Sequence, residues 1–182
     1  MNIYKQEIIT HTQNWISTFI IGHNICPFAK REFDKGSIHY EVVVEKNIEN
    51  QLQALIQICI QLDTSNAIET SLLIYPQGLS DFDNYLDFLA VANALLEKQN
   101  YEGVYQLASF HPDYCFDGEN NEDASNYTNR SPYPMLHLIR EESLEKALLS
   151  YPNPEEIPHR NIQYTRDLGV KILADLLFKS TA

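Results

Sequence analysis

The chain has 182 residues, of which 44% are hydrophobic and 21% are charged, a composition that is typical of a globular domain and excludes a disordered chain. Its formal net charge of −12 argues against nucleic acid or an anionic membrane as a general partner, because both require a basic face. Three cysteines, Cys26, Cys59 and Cys115, are too few and too widely spaced for a disulfide framework and favour a reducing, cytoplasmic location. Neither a secretion signal nor a membrane-spanning apolar run is recognisable. A length of 182 residues is typical of one domain with a sizeable core, so we expect a single domain over residues 1–182.

Helices and strands alternate along the first part of the chain. Apolar residues at helical spacing predict an amphipathic helix over residues 4–21, which ends at Gly22. A β-branched run predicts a strand over residues 38–45, and a second helical pattern extends from Ile48 to Leu62. This alternation favours helices packed on a sheet.

The same alternation continues to the middle of the chain. Residues 71–75 form a short, strongly apolar run that predicts a strand, and Ser80 is expected to cap a third helix whose apolar face extends to Leu96. A third strand is predicted over residues 103–110. After a long polar loop, a fourth strand follows over residues 135–140.

Helical patterns also close the chain, with a short helix over residues 143–149 and a last helical region over 158–179. We therefore predict an α+β or mixed α/β fold: a single-domain sandwich with about four strands, a ferredoxin-like βαβαβ core and helices at both termini. The strand order does not follow from the sequence.

The long loop between the third and fourth strands is the richest source of candidate functional residues. His111 and Asp113 follow directly after a strand, where loops present polar groups from a rigid base. A histidine beside a carboxylate can act as a general acid or base, or as a metal ligand. Alternatively, Pro112 shapes a turn that Asp113 caps.

Further along this loop, Arg130 is a candidate binder of a carboxylate or phosphate group. Asn126 and Asn129 are candidates for orienting a substrate. Alternatively, the asparagines serve the loop's own turns and Arg130 pairs with an acidic side chain in residues 117–123.

His137 and Arg140 lie on the fourth predicted strand, where the side-chain period of two directs them to opposite faces. His137 is a candidate assistant to His111, although a histidine among apolar neighbours is more often a packed core residue. If a metal is bound, the expected ligands are His111, Asp113 and His137.

Two candidates lie outside this region. Cys26 precedes Lys30 and Arg31, and nearby cations lower the pKa of a thiol and make it more nucleophilic; the alternative is a packed, inert cysteine. Arg160 lies close to the start of the last helical region, from which it can face an anion; the alternative is a local cap with a surface arginine.

Several motifs together resemble domain-of-unknown-function family 1415, a group of small bacterial proteins with relatives in plants. The resemblance rests on these segments: Cys26-Pro-Phe-Ala, Tyr75-Pro, Ser109-Phe-His-Pro-Asp-Tyr, Asn126-Tyr-Thr-Asn-Arg-Ser-Pro-Tyr-Pro, Ile157-Pro and Arg160-Asn161. It covers nearly the whole chain and implies an intact bacterial, cytosolic domain, but no particular activity.

The residues favour an enzyme that acts on a small anionic metabolite, with His111 as acid or base, Asp113 as its orienting group, and Arg130 and Arg160 as anion binders. The alternative is a non-catalytic module that binds a metabolite, a metal or another protein through the loop. A third possibility is that the loop only covers the sheet. No glycine-rich phosphate loop indicates a nucleotide, and the cofactor and oligomeric state stay open.

Overall fold

The computed structural model describes residues 3–181 and has α+β architecture. Its strands are β1 (Ile38–Val42), β2 (Thr70–Ile74), β3 (Tyr105–Phe110) and β4 (Met135–Arg140). Its α-helices are α1 (Ile3–Trp15), α2 (Ala29–Lys35), α3 (Ile48–Thr64), α4 (Phe82–Lys98), α5 (Glu141–Leu149), α6 (Glu156–Leu168) and α7 (Val170–Lys179). A π-helical segment (Ile16–Ile21) continues α1, and a short 3-10 helix (Ala124–Thr128) lies within the long loop. None of the helices within the described range is long and apolar enough to cross a membrane.

The four strands form one mixed sheet in the order β1-β2-β4-β3. β1 and β2 are parallel neighbours, and β4 is antiparallel to both β2 and β3. The helices at both ends and the four strands are confirmed, but the ferredoxin-like order is not. The strand that comes last in the sequence lies between β2 and β3, and local sequence patterns carry no information about such long-range pairing.

The sheet is covered on both faces, and the two faces have separate apolar clusters. Leu73 of β2 and Leu136 of β4 lie in the cluster formed with α3 and α4. Leu72 and Met135, one position away on the same strands, lie in the cluster formed with α1, the π-helical segment and α7. All five residues of β2 are buried, as expected of a central strand packed on two sides.

The first predicted helix is not uniform. It changes from α-helical to π-helical winding at Ile16, and Gly22 follows the π-helical segment. A Cβ atom at Gly22 would lie 2.3 Å from the carbonyl oxygen of Thr18, so only glycine fits this end of the segment. The sequence pattern predicted the extent of this helix but not the change in winding, because apolar residues of the pattern, such as Ile8 and Phe19, are buried in both parts.

Besides shifts of two or three residues at the ends of several elements, three features differ from the sequence prediction. The segment after Cys26 is not purely a loop, because α2 forms there and ends at Gly36 with a φ of 67°. The cap of α4 is Asp81, whose carboxylate accepts the backbone N–H of Asn84, and not Ser80. The last helical region is split into α6 and α7 at Gly169, whose φ of 81° interrupts the helix.

Candidate functional site

His111 lies directly after β3 and is fully buried, with 0% of its surface exposed. Its Nδ1 accepts the backbone N–H of Asp113 at 3.0 Å, so the ring proton lies on Nε2, which donates to the carbonyl oxygen of Leu79 at 3.0 Å. The ring packs against Phe82 and Tyr85, with centroids 5.1 Å away in each case. Burial lowers the pKa of His111, and both nitrogens already have backbone partners.

The two asparagines of the loop also bond to backbone groups. The Oδ1 of Asn126 accepts the N–H of Phe116 at 3.0 Å, and its Nδ2 donates to the carbonyl oxygen of Asn120 at 2.8 Å. The Nδ2 of Asn129 donates to the carbonyl oxygen of Ser109 at 3.1 Å. These bonds hold the loop in one conformation and attach it to the end of β3.

Arg130 extends from this loop and is held at two of its nitrogens. Its Nε donates to the carbonyl oxygen of Tyr114 at 3.1 Å, and its Nη2 donates to that of Asn121 at 2.7 Å. Its guanidinium carbon lies 4.7 Å from the centre of the Tyr127 ring. Within residues 3–181 it forms no ion pair with a carboxylate, so its charge has no counter-ion from the protein.

The acidic part of the loop pairs with a different arginine. Nη2 of Arg166, on α6, lies 3.0 Å from Oδ2 of Asp123 and 3.2 Å from Oε2 of Glu119. The hydrogen bonds from Arg166 are the main cause that lowers the pKa of Asp123 to about 2. The ion pair with the acidic residues 117–123 that was one alternative for Arg130 is therefore formed by Arg166 instead. It attaches α6 to the loop.

Arg130 also lines a narrow crevice between the loop and the helices on that face of the sheet. The crevice is too narrow to hold a water molecule and is lined by Trp15, Phe19, Tyr127, Arg130, Leu173 and Leu177. Trp15 is only 2% exposed, and its indole Nε1 is buried with no hydrogen-bond partner in the described part of the chain. An indole N–H can only donate, so this group lacks an acceptor.

His137 and Arg140 lie on opposite faces of β4, as the strand period predicts. The Nε2 of His137 lies 2.6 Å from the Oγ1 of Thr70, which in turn donates to the carbonyl oxygen of Leu138 at 2.6 Å. Burial lowers the pKa of His137 to about 4. On the other face, the Nη2 of Arg140 donates to the carbonyl oxygen of Leu62 at 2.6 Å, near the C-terminal end of α3.

The three residues expected to hold a metal, if one is bound, are not brought together. His111 packs on the α4 side of the sheet, whereas His137 shares the opposite face with Met135. Asp113 contacts His111 through its backbone N–H. Across residues 3–181, no three His, Cys, Asp or Glu side chains are grouped so that they could hold a metal ion.

Cys26 is half-buried just before α2, and burial is the main influence on its thiol, whose pKa it raises. Backbone N–H groups of Phe28 and Ala29 and the charge of Arg160 act in the opposite direction but do not overcome burial. Lys30 and Arg31, the cations that follow Cys26 in the sequence, are not among the groups that shift its pKa. Its raised pKa makes the thiol less reactive than an ordinary cysteine at neutral pH.

Arg160 and the next residue fasten α6 to the turn before Cys26. The Nη2 of Arg160 donates to the carbonyl oxygen of Asn24, and its Nε and Nη2 also donate to the Oδ1 of Asn161. The Nδ2 of Asn161 donates to the carbonyl oxygen of Ile25 at 2.7 Å. Nε and Nη2 of Arg160 and both side-chain polar atoms of Asn161 are thus hydrogen-bonded within the protein.

Comparison with known proteins identifies the family. The sequence model of a family described as a protein of unknown function, DUF1415, matches residues 7–175. The chain belongs to the DUF1415 family. Searches of curated proteins and of solved structures find no match.

The DUF1415 match includes Trp15, Arg130 and Leu173, whereas Leu177 lies outside it. The sequence indicated Arg130 as a candidate anion binder but did not indicate the crevice. Trp15 is one of several apolar residues on the predicted buried face of a helix, so nothing in the local pattern distinguishes it. The only hint was that this chain has a single tryptophan. The role of each predicted site residue stays a prediction.

Proposed function

We propose that this DUF1415 protein binds a small organic anion at the crevice lined by Trp15 and Arg130. The observation that carries the proposal is that Arg130 and Trp15 line the same crevice. Among the described residues, the guanidinium of Arg130 has no carboxylate partner and the buried indole N–H of Trp15 has no acceptor. Both groups can only donate hydrogen bonds, so a fitting ligand supplies acceptors. The charge of Arg130 favours an anionic one.

The energetics favour a ligand at this place. A buried donor without a partner costs about 1–3 kcal/mol, and an acceptor oxygen of a ligand would recover that cost. Arg130 is already positioned by two backbone carbonyls and by Tyr127, so little side-chain freedom is lost when an anion binds. An acidic protein can still bind an anion, because the local potential and not the net charge determines binding.

The arrangement favours binding over acid–base catalysis. The polar residues that line the crevice are Trp15, Tyr127 and Arg130, and none of them is a histidine or a carboxylate, the usual general bases. For His111 to act as acid or base, its ring must first leave the carbonyl oxygen of Leu79 or the N–H of Asp113.

The proposed location is the cytoplasm, which agrees with three unpaired cysteines.

The test uses the single tryptophan as the reporter, since Trp15 itself lines the crevice. The purified protein is titrated with acetate, hexanoate and inorganic phosphate while Trp15 emission is recorded. We expect a saturable change for at least one anion, a loss of that change in Arg130→Gln, and a normal response in Arg31→Gln. Arg31 is the matched control because its side chain is mostly exposed.

The proposal is wrong if none of these anions produces a saturable change, or if Arg130→Gln responds like the wild type. The fold of each variant is checked by circular dichroism and thermal unfolding. Arg130→Lys is a further variant that keeps the charge but not the planar fork, so it should bind more weakly than the wild type and more tightly than Arg130→Gln.

A further inference from the structure

We infer that the C-terminal end of α5 and the turn that follows it form a docking surface for a basic amphipathic helix of another protein. An open groove lies at this place and is lined by Glu145, Leu148, Leu149 and Pro154. The groove shares no lining residue with the crevice beside Arg130. It is therefore a separate surface, and the inference does not depend on the proposed function.

The apolar side chains of α5 are incompletely covered by the rest of the protein. None of the nine residues of this helix is buried, and Leu144 and Leu148, one turn apart, are only half-buried. Leu149 is 88% exposed and lines the groove. Single exposed apolar residues are common on protein surfaces, but here two leucines and a proline meet in one groove. This grouping offers apolar surface to a partner.

The turn that forms the other side of the groove is held by contacts within the chain. The N–H of Tyr151 donates to the carbonyl oxygen of Leu148 at 3.1 Å, and the N–H of Glu156 donates to that of Asn153 at 3.1 Å. The ring of Tyr151 packs against that of Phe28, with the centroids 5.5 Å apart. A surface that is already ordered loses little conformational entropy when a partner binds.

The charges around the groove determine the kind of partner. Lys146 is the only lysine or arginine between residues 141 and 156, a range that contains five glutamates: Glu141, Glu142, Glu145, Glu155 and Glu156. Within residues 3–181, Glu145 and Glu155 form no ion pair. Glu145 lines the groove and Glu155 directly follows Pro154, so both carboxylates can pair with lysines or arginines that flank the apolar side chains of a partner.

The same glutamates disfavour a second copy of this chain. In a symmetric pair, the acidic surroundings of one groove would face those of the other, and like charges oppose such an association. Each chain also carries a net charge of −12. A helix with leucines along one face and lysines or arginines beside them matches both the groove and its charges, as in other complexes in which an amphipathic helix lies in an apolar groove.

The test is a titration of a fluorescent peptide of about 14 residues, with leucines at helical spacing and lysines elsewhere, with the full chain while anisotropy is recorded. We expect saturable binding that weakens about tenfold in Leu149→Ser, because the burial of this leucine is lost. Glu145→Gln combined with Glu155→Gln should weaken it about fivefold and reduce its dependence on salt. Leu86→Ser is the matched control and should bind normally, because Leu86 is a 40% exposed leucine beside Asp87 on another helix.

Two further peptides separate the contributions, one with glutamates in place of the lysines and one with lysines but no leucines. Both should bind far more weakly than the first. The docking surface is refuted if no peptide binds saturably, if the peptide without leucines binds equally well, or if a folded Leu149→Ser variant binds like the wild type. Equal binding of the glutamate peptide refutes the basic character of the partner. A dimer in sedimentation velocity that Leu149→Ser abolishes would assign the surface to a second copy instead.

Discussion

The half-buried imidazole of His137 predicts that the protein loses stability in mild acid. Folding lowers the pKa of this residue from its ordinary 6.5 to about 4, because burial disfavours the charged ring. The unfolded chain therefore binds a proton between these values and the folded chain does not. The contribution to stability is complete above about pH 6.5 and is lost as the pH falls toward 4.

The two pKa values determine the size of the effect. The whole separation corresponds to about 3 kcal/mol, of which about 2 kcal/mol is lost between pH 7.5 and pH 5. His111 acts in the same direction, because burial also lowers its pKa. A loss of this size is a large part of the total stability of an ordinary domain.

The measurement is urea unfolding at several pH values between 7.5 and 5, followed by far-UV circular dichroism. The informative variant is His137→Leu, which gives up the hydrogen bond to Thr70 at every pH but removes the titrating group. We expect it to be slightly less stable at pH 7.5 and to lose about 2 kcal/mol less on acidification. His159→Gln, at an exposed position, should keep the wild-type pH dependence.

The reasoning is refuted if His137→Leu folds and keeps the full pH dependence of the wild type. The acid sensitivity would then come from other groups, of which His111 is the first to test. A wild-type stability that does not change between pH 7.5 and 5 would refute the burial argument for both histidines.

Three further predictions concern individual contacts. Arg140→Gln should lower the free energy of unfolding, measured by urea titration, by about 2–3 kcal/mol, because charged hydrogen bonds to the carbonyls that end α3 are lost. The control Arg31→Gln, at a mostly exposed position, should change it by less than about 0.5 kcal/mol. Gly22→Ala should lower the thermal midpoint by several degrees, because a Cβ atom would lie 2.3 Å from the carbonyl oxygen of Thr18. Cys26 should react with iodoacetamide more slowly in the folded protein than in urea at pH 7, as measured by peptide mass spectrometry, because burial raises its pKa.

The opposite results would be equally clear. A wild-type unfolding curve for Arg140→Gln would mean that water replaces its contacts without loss. An unchanged midpoint for Gly22→Ala would mean that the π-helical segment relaxes easily. Faster alkylation of Cys26 in the folded state would support the reactive thiol considered from the sequence.

Local patterns in the sequence predicted most of the regular structure. The residues of β4 were predicted correctly, and the helical apolar patterns of α3 and α4 began and ended within a few residues of the observed helices. These elements depend on side-chain periodicity, which is a property of short segments. The same period placed His137 and Arg140 on opposite faces of the strand.

Other features depend on contacts between distant segments. No local pattern placed β4 between β2 and β3, and none predicted α2. The long loop was recognised as rich in polar groups, but the sequence left open whether these groups face a ligand or the loop itself. The structure shows Asn126 and Asn129 bonded to the loop and to β3.

The sequence by itself predicted an α+β or mixed α/β class, carried the family motifs and indicated the loop with Arg130 as a candidate site, because composition, periodicity and motifs are encoded residue by residue. Only the tertiary structure decided which charges meet: Asp123 pairs with Arg166 of α6, and Arg130 is left beside Trp15. The physical reason is that ion pairs and crevices form between segments far apart in the chain. Their partners are chosen by the packing of α1, α6 and α7 against the loop, which no short segment encodes.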